Sequence, residues 1–370
     1  MFKRKYIHGI YLEETDIIMN NDVNDTITII IPTYNKVDFI AQTIESALNQ
    51  TYSDYKILVV DDCSSDGTDL IVKKYISDKL RYIRHEKNLG PSVTYNDGIL
   101  MSDSKYVTIL DNDDILLPNH LELIMQEFKK DEHLDVVFSR LAVIDENNNI
   151  TNERRINTNK DKYSLIRQAF YVSNIFPSPG VAFNKTFFKQ IGLFNTGLIL
   201  MHDYALNIKT VVYGRFTILP QITVYYRRFS DNKKNLSAIG EWQHNCEVFE
   251  RNIVRDIIFD SIPKDEFTSF FPQFTNVGNT EYTDFLLIKE ACLSQSHDLN
   301  EWGFSRIQKY LDDNRDFFTN NVFNFQYTDY IDLYKKRIQL NYTQLTRKQK
   351  LIKMLKKIIR STIGRLYKML

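Results

Sequence analysis

The chain has 370 residues, and its 47 Lys and Arg are matched by 47 Asp and Glu, so the formal net charge is zero. That balance argues against a dedicated nucleic-acid binder, and 12 glycines and 8 prolines exclude collagen-like and low-complexity classes. Hydrophobic residues at 43% allow a sizeable core and exclude wholesale disorder.

At about 150 residues per domain, the length predicts two to three units. Cys63, Cys246 and Cys292 are odd in number and far apart. They form neither a disulfide framework nor a thiolate zinc site, and they suit a reducing compartment. No GxGxxG, GxxxxGK[ST] or HExxH occurs, so dinucleotide, P-loop and zincin fingerprints are absent. No run of about 18 apolar residues is present to span a bilayer as a helix.

Residues 1–25 contain basic residues but no unbroken apolar run of signal-peptide length, and read as an N-terminal extension. Residues 26–31 are β-branched and almost continuously apolar, as in a strand buried on both faces of a parallel sheet. Pro32 to Asn35 stop it. Apolar positions at helical spacing follow over 37–49. Ile57–Val60 is a second strand, ended by Asp61 and Asp62, with a helix near 66–76 behind it. A third strand over 80–84 precedes a helix from Pro91 to about 102. Tyr106–Leu110 is a fourth strand, ended by Asp111, Asn112, Asp113 and Asp114, and Pro118 opens a helix to about Lys130. Val136–Phe138 is a fifth strand. Strands alternating with helices at this spacing predict right-handed βαβ units and a doubly wound sheet. A turn at 147–149, a loop at 176–180, a helix over 203–213 and strands at 216–219 and 222–226 follow. From about 240 helical periodicity dominates to about 345.

The chemistry lies in the carboxylates. Asp61-Asp62 and Asp111-x-Asp113-Asp114 each follow an apolar strand. In an open α/β sheet, ligands bind outside the carboxyl ends of the strands, so both clusters are expected to line one crevice. Like charges there call for a cation or donors. Hard oxygen ligands suit Mg²⁺ or Mn²⁺, and Mg²⁺ is typically held by one or two carboxylates plus substrate phosphates. The pattern therefore predicts a metal-bridged phosphate or diphosphate substrate. The competing reading is solvated turn acids, since Asp is a common turn residue.

Ile30-Ile31-Pro32-Thr33-Tyr34-Asn35, Leu48-Asn49-Gln50-Thr51-Tyr52 and Val59-Val60-Asp61-Asp62-Cys63-Ser64-Ser65-Asp66-Gly67-Thr68 occur in that order. Asn88-x-Gly90, Asn96-x-Gly98, Leu110 to Asp114, Gly192-x-Phe194 and Asp203 continue the series. As a set, over roughly 26–237, these resemble the family-2 glycosyltransferases. The resemblance implies an α/β GT-A fold, the nucleotide-diphospho-sugar transferase sandwich, here with a mostly helical C-terminal extension. It also implies transfer of a sugar from a nucleotide sugar to a hydroxyl, with inversion. The expected domains are an extension at 1–25, a GT-A catalytic domain at 26–237, a helical region at 238–345 and a tail helix at 346–370.

Position by position, the resemblance implies that Pro32, Thr33 and Tyr34 lie by the nucleobase. Asp62 would bond the base or ribose, with Asp61 beside it, and Asn88 and Asn112 would join the nucleotide-sugar site. Asp111 and Asp113 form the DxD motif for the ribose-diphosphate and Mn²⁺ or Mg²⁺, Asp113 being the more direct ligand. Asp203 stands as general base, with a helix N-cap as its structural alternative. Asp114 could cap the helix that follows it.

Three departures stand out. His202 replaces the acid usual before Asp203. Phe229 stands where a His often follows Tyr-Arg-x, leaving Arg227 or Arg228 to face the diphosphate or to form surface ion pairs. Tyr95 replaces a common Arg. A nucleotidyltransferase shares the sheet type, but its Gly- and Lys-rich loop after the first strand is missing. A catalytically weak nucleotide-sugar-binding scaffold is the reading from another class.

The resemblance makes a UDP-sugar the first expected donor and a bacterial surface glycan or lipid-linked oligosaccharide the acceptor. Residues 346–370 carry nine Lys or Arg and no acid. Within them Leu351, Ile352, Leu355, Ile358, Ile359, Ile363 and Leu366 share a helical face opposite the basic side chains. That pattern suits an anionic membrane surface, or packing on the acidic remainder of the chain. The expected location is cytoplasmic, peripheral on the inner face of the plasma membrane.

Overall fold

The computed structural model describes residues 4–7, 10–13, 25–154, 161–172, 174, 176, 178–231, 241–275, 283–314 and 325–339. The chain divides into two compact units, Met1–Ile262 and Pro263–Leu370.

The first unit opens with a hairpin of β1 (Arg4–Ile7) and β2 (Ile10–Glu13). A nine-stranded sheet follows. The apolar run becomes β3 (Ile27–Thr33), buried at every residue. It lies between two parallel neighbours, β4 (Tyr55–Asp61) and β6 (Tyr106–Ile109), and β5 (Leu80–Arg84) flanks β4. The chain steps outward from β3 through β4 to β5, then crosses to the other side of β3 for β6. That reversal opens a crevice at the carboxyl ends of β3 and β6, where doubly wound sheets bind ligands.

The rest of the sheet is mixed. Its order is β5-β4-β3-β6-β10-β8-β11-β7, with β9 (Ile150–Arg154) beside β8. The strands are β7 (Ile115–Leu116), β8 (Val136–Ile144), β10 (Ala182–Asn184) and β11 (Phe216–Arg227). β10 runs antiparallel to both β6 and β8, so the doubly wound pattern holds for the first four strands of this sheet and stops there. The two strands expected at 216–219 and 222–226 are one, β11. Its pairing to β8 shifts register between Ile218 and Ile222. Pro220 lies there without an N–H to donate, which is what a bulge tolerates.

Helices α1 (Ile40–Leu48), α2 (Thr68–Val72), α3 (Pro91–Met101) and α4 (His120–Lys130) connect these strands. The helix expected from Pro118 starts two residues later, with Asn119 at its N-cap. Gly98 explains its place in the Asn-x-Gly motif: a Cβ there would lie 2.4 Å from Ile30 Cγ2, so α3 approaches β3 only without a side chain. After α5 (Lys162–Tyr171) and the single turn α6 (Phe188–Ile191) comes α7 (His202–Tyr213). Helix α8 (Glu241–Ser261) packs on α7 and belongs to this first unit. The unit therefore runs past the boundary expected at 237. The reason is burial: Glu250, Val254, Arg255 and Ile258 of α8 are all enclosed.

The second unit is helical in its described residues, with α9 (Phe267–Phe270), α10 (Thr283–Cys292), α11 (His297–Asp313) and α12 (residues 327–339). Phe270, Phe271, Phe285, Trp302 and Phe304 fill its core. Gly303 lets α11 cross the end of α10, since a Cβ would lie 2.5 Å from Cys292 N. The tail at 346–370 lies outside the described residues. Among the described residues no helix is long and apolar enough to cross a membrane.

Candidate active site

Two loops at the carboxyl ends of β3 and β4 are zipped together by the motif residues. Thr33 O accepts from Asp62 N, Ser64 Oγ from Asn35 N, Thr68 Oγ1 from Lys36 N and Asp66 Oδ2 from Val37 N. Asn35, Cys63 and Gly67 take positive φ to make these turns. The polar spacing of this stretch is thus the geometry of a loop pair. Thr33 is buried, with its Oγ1 lacking a partner, Pro32 is buried and Tyr34 is 45% exposed. These three stand at the carboxyl end of β3 and just beyond it.

Asp61 and Asp62 are both enclosed, and both are engaged by protein donors. Asp61 accepts from Ser64 N at 2.8 Å and Tyr82 Oη at 2.6 Å. Asp62 accepts from Leu89 N at 2.7 Å, Gly90 N at 2.8 Å and His85 Nδ1 at 2.8 Å. Asp62 therefore anchors the 85–90 loop, whose Asn88 is exposed. His85 lies between Asp62 and Asp97, its Nε2 being 3.2 Å from Asp97 Oδ2. Hydrogen bonding to these two acids raises its pKa to about 9, so it is an imidazolium at neutral pH.

The acids after β6 differ in their surroundings. Tyr95 Oη on α3 donates to Asp111 Oδ1 at 2.5 Å. Burial pushes the Asp111 carboxyl up to about 7. The Tyr95 bond and the Lys36 charge hold it down, while the charges of Asp113 and Asp203 push it further up. Asp113 Oδ2 pairs with Lys36 Nζ at 2.5 Å, and the same ammonium lies 4.9 Å from the centre of the Phe229 ring. Asp114 faces inward: it is fully buried, Oδ1 accepts from Arg227 N at 2.7 Å and Oδ2 has no partner. Burial, then the two neighbouring acids, push its pKa well up. It does not cap the following helix, because the chain continues through β7 before α4 begins.

Arg227 is a structural hub. Its Nε donates to Asp113 O, one terminal nitrogen to Asp145 O and the other to Gln42 Oε1, all at 2.8–2.9 Å. It is neither a surface ion-pair member nor turned to a diphosphate, because the residue is buried and its guanidinium is spent on holding the acid loop.

Asp203 arrives from a separate segment, on the first turn of α7. The N-cap of that helix is Met201, so Asp203 does not cap it. Its Oδ2 accepts from Asn174 Nδ2 at 3.1 Å and its Oδ1 from Tyr204 N at 2.7 Å. The charge of Asp203 acts on both Asp111 and Tyr95, which places it in electrostatic reach of the acid loop. The segment leading to it is clamped to α3. Asn96 makes both backbone bonds of Phe194, at 2.9 Å each, and Ser92 Oγ donates to Leu198 O. The Tyr95 ring stacks on Phe194 at 4.8 Å and contacts His202 at 5.4 Å. His202 is buried filler whose Nδ1 meets Ile199 O.

The structure thus joins Lys36 to Asp113 and Tyr95 to Asp111, two partners that the motif reading left out of the site, and sets the charge of Asp203 on Asp111. Asn112 flanks them, half-buried. A divalent cation fits the chemistry of the donors: the acid loop offers two carboxylates, and a lysine ammonium already rests on one of them. Among the described residues no group of three His, Cys, Asp or Glu is gathered to hold a metal ion, so diphosphate oxygens would complete its shell.

A half-sheet wound in both directions, with acids at its switch point, is the plan of the GT-A fold. Residues 28–192 match the family model described as "Glycosyl transferase family 2". An uncharacterized glycosyltransferase of Methanocaldococcus jannaschii is 29% identical over 206 residues, covering 54% of this chain and 70% of that protein. One of Rickettsia prowazekii is 31% identical, over 51% of this chain and 59% of its own length. A chondroitin synthase of Escherichia coli is 35% identical over 34% of this chain and 18% of that protein. The chain thus spans 70% and 59% of the first two relatives' lengths and less than a fifth of the third's. A crystal structure of S. aureus TarS 1–349 in complex with UDP-GlcNAc shares the fold, with a TM-score of 0.50 and 19% identity over 72% of this chain and 80% of that one.

Proposed function

We propose that this glycosyltransferase moves a sugar, with inversion, from a nucleotide sugar to an acceptor hydroxyl, with a divalent cation at Asp113 and Asp111. A UDP-sugar is the first donor to test. The observation that supports this reading is Tyr95, which bonds Asp111 of the DxD pair and packs on His202 beside Asp203, so that a distant segment brings the charge of Asp203 to bear on Asp111. Attack at the anomeric carbon forms the new C–O bond as the bond to the diphosphate breaks. Asp203 takes the proton of the attacking hydroxyl, and a positioned base of this kind contributes about 10²–10⁴-fold. The cation would neutralise charge on the departing diphosphate as a Lewis acid. Arg227 keeps the acid loop in place, and Tyr95 and Lys36 moderate the repulsion among its carboxylates.

The acceptor is proposed to be a hydroxyl of a bacterial surface glycan or lipid-linked oligosaccharide, with the basic tail at 346–370 docking on anionic membrane. Co-sedimentation with anionic liposomes, with and without the tail, checks the docking; equal pelleting of both forms removes it. The activity is tested with a nucleotide-sugar panel, with Mn²⁺, Mg²⁺ or EDTA, following nucleotide release. Release is expected with metal alone and to drop by orders of magnitude in Asp113→Asn. Asp203→Asn is expected to bind donor nearly as wild type while turnover collapses. Full activity in EDTA ends the metal reading, and full turnover in Asp203→Asn ends the assignment of the base.

A further inference from the structure

We propose that Glu250 of α8 is a positioning residue for Asp203. Its carboxylate accepts three successive backbone N–H groups: Ile199 N at 2.6 Å on Oε1, and Leu200 N and Met201 N at 2.8 Å each on Oε2. The side chain is only 2% exposed. Cys246, one turn earlier in α8, adds its thiol to Oε1 at 3.4 Å.

Three consecutive amides turned toward one point form a concavity for an anion. Here a side chain of the same molecule fills it. A buried carboxylate is tolerated only where donors replace the water it has lost, and these amides are such donors. The bonds are short because the acceptor is charged. They fix residues 199–201, which lead directly into α7 and whose last member, Met201, is its N-cap. Asp203 is the second residue of that helix. From the other side, Ser92 and Asn96 of α3 hold Leu198 and Phe194. The segment that delivers the base is therefore gripped between α3 and α8, and Glu250 is the α8 side chain that holds the amides of 199–201.

Glu250 lies well beyond residues 28–192, in a helix outside the family match. It matters for rate because a misplacement of about 1 Å in a reacting group costs on the order of 10²-fold. This inference rests on the reading of Asp203 as base. It adds that the base is aimed by a residue the family motif does not contain.

The test compares Glu250→Gln, Glu250→Asp, Asp203→Asn and the Glu250→Gln/Asp203→Asn double variant in the full chain. The three readouts are donor KM and kcat, with whichever nucleotide sugar of the panel the wild type consumes, and amide hydrogen exchange at 199–201. In Glu250→Gln, kcat is expected to fall about 10- to 100-fold with donor KM within about threefold, and exchange at 199–201 to rise at least tenfold. Glu250→Asp, which keeps the charge, should recover part of kcat; it also carries the test if Glu250→Gln fails to fold. The double variant should be no slower than Asp203→Asn alone, since residues acting as one unit are not additive. Multiplying losses, or kcat and KM changing together, would mark Glu250 as a general structural support and overturn the proposal. Unchanged exchange at 199–201 overturns it without reference to any donor. A panel from which nothing is consumed, or full turnover in Asp203→Asn, counts against the function reading instead.

Discussion

The ammonium of Lys36 rests 2.5 Å from Asp113 Oδ2, on the acid proposed to hold the metal. Both side chains are mostly shielded, at 22% and 15% exposure. A divalent cation binding Asp113 must compete with this internal one. Ion pairs of this kind contribute up to about 1 kcal/mol, which is about fivefold in affinity. Lys36→Met is therefore expected to tighten Mn²⁺ binding to the free protein by about two- to fivefold, measured by titration calorimetry. Unchanged or weaker binding shows that Lys36 does not compete.

Tyr95 acts on the other acid of the pair. Asp111 titrates near 7, raised mainly by burial and held down mainly by the Tyr95 hydroxyl. A cation binds the ionised form, so Mn²⁺ affinity should climb with pH through about 7 and then level off. Tyr95→Phe removes the donor, leaves the acid higher and moves that inflection upward. A Mn²⁺ titration series between pH 5.5 and 8.5 reads this directly. An inflection that stays put would mean the hydroxyl does not govern Asp111.

Asp114 should behave unlike its neighbours. It is buried, its pKa lies well above the ordinary carboxylate range, and its one bond runs to Arg227 N. Asp114→Asn keeps that acceptor and should cost no more than about 1 kcal/mol, with Mn²⁺ affinity intact. Asp114→Ala leaves Arg227 N buried and unpaired, a loss of about 1–3 kcal/mol. Urea denaturation of both variants decides it; equal destabilisation would show that the bond carries no weight.

His85 links stability to pH. Its folded pKa is raised from 6.5 to about 9 by Asp62 and Asp97. The stabilisation is complete below about 6.5 and is lost as pH rises through 9. At full strength it amounts to about 3 kcal/mol at most. Wild type should exceed His85→Gln in urea midpoint at pH 6, and the difference should shrink by pH 9.5. A constant difference across that range means that His85 is not charged in the folded state.

Much of this molecule was legible in one dimension. The apolar run before Pro32 is long, β-branched and free of alternation, and a chain like that can only be satisfied with both faces covered. Helical spacing after each such run leaves few topologies. The first four strands of the large sheet, the helices between them and the acids at their ends followed from these local facts. So did the helical character after 240.

What tertiary structure alone decided was how each polar side chain is spent. Asp62 and Asp113 look equivalent as turn acids in sequence, yet one is committed to the amides of Leu89 and Gly90 and the other to Lys36. Arg227 reads as either a cation near a ligand or a surface ion-pair member, and is instead the tie that holds the acid loop. Glu250 carries no motif at all, because its partners are backbone amides some fifty residues away, and amides have no sequence. Periodicity and propensity depend on near neighbours and are written along the chain. The partner of a buried charge depends on which distant segments the packed core brings within about 3 Å, and only the folded molecule makes that choice.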